Sequence, residues 1–564
     1  MDFECPQCHF VAGRTSTRVE DLSPAALQLL KSNKKPTETV ASNFREYHTQ
    51  AKTALREIDT QIARLRASLE LLMEERRRLD SIESSYKSIL HPIRAMPDEI
   101  LGEIFLHCVP HSSKLTRRSH PTNSLHTTEW MPWVLGQVCS RWRTLSTASP
   151  QLWSYVGFTI PSPGPGGIND KKSTYMLWLL SLQLQRSTPQ PITLHITADA
   201  VYHNHPALIV ICAHSFRWKK ARLTLSFQSF QSLIPASLPS LEILIVSIKA
   251  SPNSTIPADA VIDAFQNAPR LHDVTVHQLP QFPSKIRLPW SQIQLLRCMD
   301  KFRITHNEDY LKALTQTPHV KALSCACYWS NRVESLAVTR LELEQLLTLS
   351  VLVLPLTQPE RNSLAQLLHP LTLPVLKELR VGGELTSDSV DALSNLFSRS
   401  RSMITLQVLS LDLTKLSCTD MIRLLVTVPS LRSLSIGGGW VTDEILTTLC
   451  DKSASGDRWT VLPELCDLGC FGGRKWSEDK LFEVVKSRFR HEIETPIDGL
   501  KVNVKKEDDQ GERVSVEAIH TITKLLKLRL PAGTRAAFNV EKWDELCKDG
   551  LTIDWMAGSS PWTI

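Results

Sequence analysis

Apolar residues recur along this 564-residue chain with three different periods, and each period predicts a different element. The first lies in 44–90, where Leu55, Ile58, Ile62, Leu65, Leu69 and Leu72 are separated by alternating steps of three and four, the a and d positions of a coiled-coil seam. One long helix is expected. Arg76 then takes a core position, Leu79 restores the stripe and Glu83 interrupts it again, so the unbroken seam is short. The run from Glu74 to Arg78 (EERRR) reads as a solvated face. Such a helix is either a dimerisation arm or a single helix packed against the rest of the chain, and the pattern leaves both open. The residues before it, 1–43, carry Pro, Ser and Thr through 11–40 and read as a flexible tail.

The second period occupies 91–153. In MPDEILGEIFLHCV (96–109), Pro97 sits where a first-turn proline costs no hydrogen bond, and Asp98 and Glu99 meet the positive end of the helix dipole. Ile100, Leu101, Ile104, Phe105, Cys108 and Val109 form two adjacent rows at spacing four, a stripe too wide for packing on one neighbour only. In WVLGQVCSRWRTLSTASPQLW (133–153), a second helix is expected with Val134, Leu135, Val138, Trp142 and Leu145 on one side and Arg141 and Arg143 on the other, ending at Ser149 and Pro150. Phe105 and Val138 are 33 residues apart, and a polar insertion at about 110–129, with Arg117 and Arg118, lies between the two helices. Short helices with so much apolar surface complete a neighbouring core or dock a partner.

The third period fills 154–499. Apolar residues recur as L-x-x-L-x-L, starting at 241, 271, 293, 320, 346, 376, 406, 431 and 465, with intervals of 30, 22, 27, 26, 30, 30, 25 and 34; six of the nine follow a proline by two positions. Each copy predicts a short strand whose alternate apolar residues point inward while the polar residues between them line one face. Earlier strands are expected at 154–160, 192–196 and 223–225. Return helices are expected in VIDAFQNA from Val261, SVDALSNLF from Ser389, DMIRLLVTV from Asp420 and TDEILTTLC from Thr442. The stretch 500–564 reads as a charged loop, LKVNVKKEDDQGER, followed by an amphipathic end (AIHTITKLLKLRL and WDELCKDGLTIDW) that caps the open edge.

Two resemblances follow from these residues. The spacing of the repeat resembles leucine-rich repeats, which implies an α/β solenoid, although the position ten after each proline reads Lys249, Leu279, Tyr328, Glu384, Gly439 and Gly473 where regular repeats place asparagine. Pro97, Glu99, Ile100, Leu101, Ile104, Phe105, Val138, Cys139, Trp142, Arg143, Leu145, Leu152 and Trp153 together resemble an F-box, with wording most similar to F-box proteins of mushroom-forming fungi; Met96 stands where that family usually has leucine. The resemblance implies an all-α module that docks a substrate receptor onto the Skp-type adaptor and cullin of a ubiquitin ligase. It implies Pro97, Ile100, Leu101, Ile104, Phe105, Val138 and Trp142 as adaptor-binding residues and a target protein on the repeat surface. The receptor itself is expected to be non-enzymatic. A structural scaffold bridging proteins through the long helix and the repeats, without ubiquitin transfer, is the alternative.

Composition changes this picture little. At 42% hydrophobic the chain can bury a large core, and 64 basic against 58 acidic residues leave a small surplus that does not argue for nucleic acid. Thirteen scattered cysteines and an N-terminus (MDFECPQCHF) without a signal pattern lead to an expectation of cytoplasm and/or nucleus, and the longest apolar runs are too short for a membrane span. Cys5, Cys8 and His9 satisfy a zinc half-site and a haem attachment pattern; the readings are a site-free tail or zinc completed by a second chain. Gly164–Ser173 and Gly437–Gly439 lack phosphate-loop spacing and read as loops, Cys325 and Cys327 read as core, and His107, Cys108 and His111 fall on or just beyond a docking helix. No catalytic, cofactor or metal constellation emerges from the sequence.

Overall fold

The computed structural model describes residues 3–4, 11–12, 19–32, 34–109, 120–162, 171–249, 256–257, 259–298, 306–327, 340–354, 363–383, 385–402, 404–413, 416–437, 441–452, 459–471, 476–489, 525–531, 534–535 and 538–556. The chain is mixed α/β and divides into two compact units, Met1–Leu101 and Gly102–Ile564.

The first unit is dominated by the 52-residue helix Glu38–Ile89, which contains neither Gly nor Pro. Thr37 precedes it in extended conformation, and the chain leaves the helix ahead of Pro92, whose ring disfavours helical backbone at His91. The helix begins six residues earlier than position 44, where the apolar seam pointed, because Glu38–Ser42 are competent helix formers without being part of the stripe. Nor is 1–43 a tail throughout. Phe3–Glu4 pairs antiparallel with Val11–Ala12, and Pro24–Ser32 is a helix with Ala26 buried.

The second unit is organised by a sheet of fourteen parallel strands, laid side by side in chain order from Tyr155–Ile160 at one edge to Thr552–Met556 at the other. Parallel neighbours need a crossover between them, and helices supply it in the later turns, for example Ser387–Ser400, Cys418–Val426, Asp443–Cys450 and Glu478–Phe489. From Leu295–Cys298 onward the register is constant: Leu296, Leu323, Leu349, Leu379, Leu409, Leu434, Leu468 and Leu528 form one cross-strand column, and Cys298, Cys325, Val351, Val381, Leu411, Ile436 and Cys470 form a second. All apolar positions of the nine L-x-x-L-x-L copies are buried. A one-residue slip would turn a whole column to the solvent side, which is why the period of two holds the register so firmly.

The sheet departs from expectation in three places. Val261–Ala268 forms turns rather than a helix; Ile262 makes a β-bridge to Ile286, and Phe265 and Ala268 are buried, so burial of the apolar side chains outweighs helical periodicity over so short a segment. The strand expected at 223–225 starts earlier, at Trp218, because Ala221, Leu223 and Leu225 alternate inward beyond an irregularity at its first residues. The C-terminal stretch contributes strands of its own: Lys527–Pro531 and Thr552–Met556 are the last two, in the same parallel register. The charged loop from 500 and residues 518–524 lie outside the described residues.

Candidate partner-docking surfaces

The described part of 91–153 holds five helical segments: Pro92–Arg94, Asp98–Cys108, Met131–Val138, Ser140–Thr147 and Pro150–Trp153. The single helix expected over 133–149 is broken at Cys139, whose backbone is fully extended (φ −159°, ψ 173°) and whose thiol caps the following helix by accepting from the Trp142 amide at 3.4 Å. Arg143 ties the break together, its Nε donating to the Gly136 carbonyl at 2.8 Å.

The residues singled out for adaptor binding separate into two groups. Leu101 and Phe105 are completely buried within the chain, and Phe105 packs on Trp142 with ring centroids 4.8 Å apart. Both side chains are thus enclosed by the chain itself. Ile100 (51% exposed), Ile104, Val138 (57%) and Pro97 remain on the surface. The two rows of the wide stripe have parted, one inward and one outward.

Within the second unit, the tryptophans of 131–153 form an aromatic cluster. Trp133 and Trp153 meet edge to face at 4.7 Å, and the Arg186 guanidinium lies over both rings, at 4.9 and 4.6 Å. Burial pushes the Arg186 pKa down. Both indoles are satisfied, Trp133 Nε1 donating to the Ser124 carbonyl (2.9 Å) and Trp153 Nε1 to the Ser146 carbonyl (2.7 Å). Ser124 belongs to the second half of the insertion, which is not simply polar and solvated: Ser124 and Leu125 are buried, and the Ser124 amide donates to the Gly157 carbonyl at 2.7 Å. Gly157 has no side chain because a Cβ there would stand 2.6 Å from the Thr122 carbonyl oxygen. Arg117 and Arg118 lie outside the described residues.

The second candidate surface is the polar side of the sheet. Among the described residues, guanidinium groups on it pair with an acid on the same or a neighbouring strand: Arg297 with Asp273, Arg380 with Glu378 (2.7 Å) and Arg529 with Asp467 (2.9 Å). Arg529 also donates to Ser433 and Ser435 at 3.0 and 2.9 Å. Small residues separate them, Ser324 and Ser350 before Arg380, then Ser410, Ser435 and Gly469. Of the repeat-start residues, Glu242 pairs with Lys219 at 3.7 Å and Arg432 with Glu464 at 3.5 Å.

Sequence reasoning missed the arginines that join successive turns. Arg488 is almost wholly buried, and its fork donates to the carbonyls of Leu449 (2.9 Å), Leu462 (2.7 Å) and Val461 (2.7 Å), with its pKa lowered to about 10 by burial. Arg399 binds the Leu368 and Leu371 carbonyls, and Arg217 the Leu184 and Gln190 carbonyls, in the same way. The available signal was a basic residue in the last helical turn of Ser387–Ser400 and Glu478–Phe489.

Cys325 and Cys327 are fully buried in the sheet, and burial pushes the Cys327 thiol well above its ordinary value. His107 and Cys108 are exposed. Among the described residues no group of three or more His, Cys, Asp or Glu side chains is placed to hold a metal, and no helix is long and apolar enough to cross a membrane. Cys5, Cys8, His9, His111, Gly164–Asp170, Gly438–Gly439, Tyr328, Glu384 and Gly473 lie outside the described residues. No protein-family model and no curated protein sequence matches the chain.

Proposed function

We propose that this chain is a non-enzymatic substrate receptor of a Skp–cullin–F-box ubiquitin ligase, with 91–153 an F-box docking the adaptor and the strand-lined sheet a leucine-rich-repeat-like solenoid holding a target protein. One observation carries the reading. Around the helices bearing the F-box-like residues, Pro97, Ile100, Ile104 and Val138 are exposed, while Leu101 and Phe105 are buried and Phe105 packs on Trp142, the division of labour a docking module needs. The exposed apolar side chains are few, and a few such anchors normally carry most of an interface's binding energy.

The test is co-purification of adaptor and cullin with the full chain and with Ile104→Asp combined with Val138→Asp. Both positions are exposed, so the variant keeps the parent's melting temperature, and adaptor binding falls at least thirtyfold, about 2 kcal/mol at roughly 1.4 kcal/mol per decade. If the folded variant retains adaptor and cullin like the parent, docking does not use this surface. If the parent itself captures neither, the scaffold reading takes its place, and the exposed helix Glu38–Ile89 is the feature that favours it.

A further inference from the structure

We infer that the helix Glu38–Ile89 is the docking surface for a second copy of this chain, and that the two copies run antiparallel, with Leu69 of each packed on Leu72 of the other. The stripe has no cover among the described residues: Leu55, Leu65, Leu69, Leu72, Leu79 and Tyr86 are 48 to 68% exposed, and Ala54 is the helix's one buried residue. A regular apolar stripe of this length marks an interaction face rather than scattered surface residues.

The charges decide the orientation. In a parallel, in-register pair, the core positions set Arg76 against Arg76 and Glu83 against Glu83, the flanks set Glu75 beside Asp80, and no pair of opposite charges forms between e and g positions. An antiparallel pair centred between residues 70 and 71 sets each a position against a d position. Ile62 then meets Leu79 and Leu55 meets Tyr86, while the aliphatic stems of Arg76 and Glu83 lie on Leu65 and Ile58.

On the flank, the e positions read Asp59, Arg66, Met73, Asp80 and Lys87, all exposed. About Met73 this series inverts in sign, so the antiparallel register places Asp59 against Lys87, Arg66 against Asp80 and Met73 against its own copy. Twofold symmetry doubles the two ion pairs to four. None of these four charged residues has an ion-pair partner among the described residues. A shift of one heptad in either direction brings Arg66 against Lys87 or Asp59 against Asp80. Such exposed pairs are individually weak, so they select orientation and register while the apolar layers supply the attraction. The opposite flank is half-buried around Ala54, whereas the e flank is open along its whole length.

The test uses the full chain. Light scattering at tens of micromolar is expected to give twice the 63.6 kDa chain mass. Zero-length carbodiimide coupling, analysed by peptide mass spectrometry, is expected to join Asp59 to Lys87. These residues are 28 positions apart, about 42 Å along one helix at 1.5 Å per residue, so the bond forms only between antiparallel copies. Arg66→Asp is expected to weaken the dimer about tenfold or more, and Arg66→Asp with Asp80→Arg to restore it. A monomeric mass overturns the inference, as does a dimer that survives Leu65→Asp with Leu69→Asp. A dimer that Asp80→Arg alone strengthens overturns the antiparallel arrangement, because only the parallel one sets that residue against Glu75.

Discussion

His205 caps the helix Pro206–Ala213 only while its imidazole is neutral, because Nδ1 accepts a hydrogen bond from the Ala207 amide at 3.2 Å. Burial lowers its pKa below the usual 6.5, and burial together with Arg217 lowers that of His214. The unfolded chain therefore takes up these protons more readily than the native one. Stability is complete above 6.5 and falls as pH drops through the lowered native values. The melting temperature is expected to decline between about pH 7.5 and pH 5.5, and His205→Asn, which caps without titrating, to decline less. An equal decline in the variant removes His205 from the account. Arg488 sets a second expectation. Arg488→Met keeps volume but strands three buried carbonyls, a loss on the order of 3 kcal/mol or more in chemical denaturation. Arg488→Lys fails to rescue, since an ammonium cannot reproduce the planar fork.

At the scale of elements, the helix Asp98–Cys108 shows how much a periodic stripe tells and where it stops. Its apolar residues announce a helix with a wide contact face, and a helix is what they form. Periodicity does not say which of two adjacent rows turns inward. Phe105 does so because Trp142 offers it aromatic contact, a fact of a neighbour distant in sequence. Leu101→Ala is accordingly expected to cost on the order of 2 to 5 kcal/mol of stability, and Ile104→Ala less than about 0.5 kcal/mol. Urea titration separates them, and equal losses would mean that the exposed row is covered in solution. The break at Cys139 was equally hidden, since no Pro or Gly marks it and its cap is a thiol that ordinary capping preferences rank low.

At the scale of the whole molecule, the fourteen strands form one cooperative array in which each turn is stable through its neighbours. Ending the chain after Phe489 removes the last two strands and leaves Asp467–Cys470 as a bare edge beside buried Leu468 and Cys470. Such a truncation is expected to lower the melting temperature and promote aggregation, readable by light scattering on heating. The strand face responds differently. Arg432→Glu sets like charges beside each other at Glu464, and because that pair is exposed the stability change stays below about 1 kcal/mol. Under the proposed function, target capture nonetheless changes, and the exchange Arg432→Glu with Glu464→Arg separates a local charge effect from a lost pair. Capture unaffected by reversals along the face would move target recognition to the loops.

The long helix, the apolar columns of the strands and the helical character of 91–153 are legible from local periods alone, because each rests on a spacing that one residue type can satisfy wherever the chain runs. No local pattern announces that the C-terminal stretch supplies two more strands, that Ser124 of the insertion lines the first strand, or that Arg217, Arg399 and Arg488 bind carbonyls of neighbouring turns. Those outcomes depend on which unpaired edge or carbonyl lies within reach after folding, and residues 26 to 39 positions apart meet there without leaving a pattern in the chain.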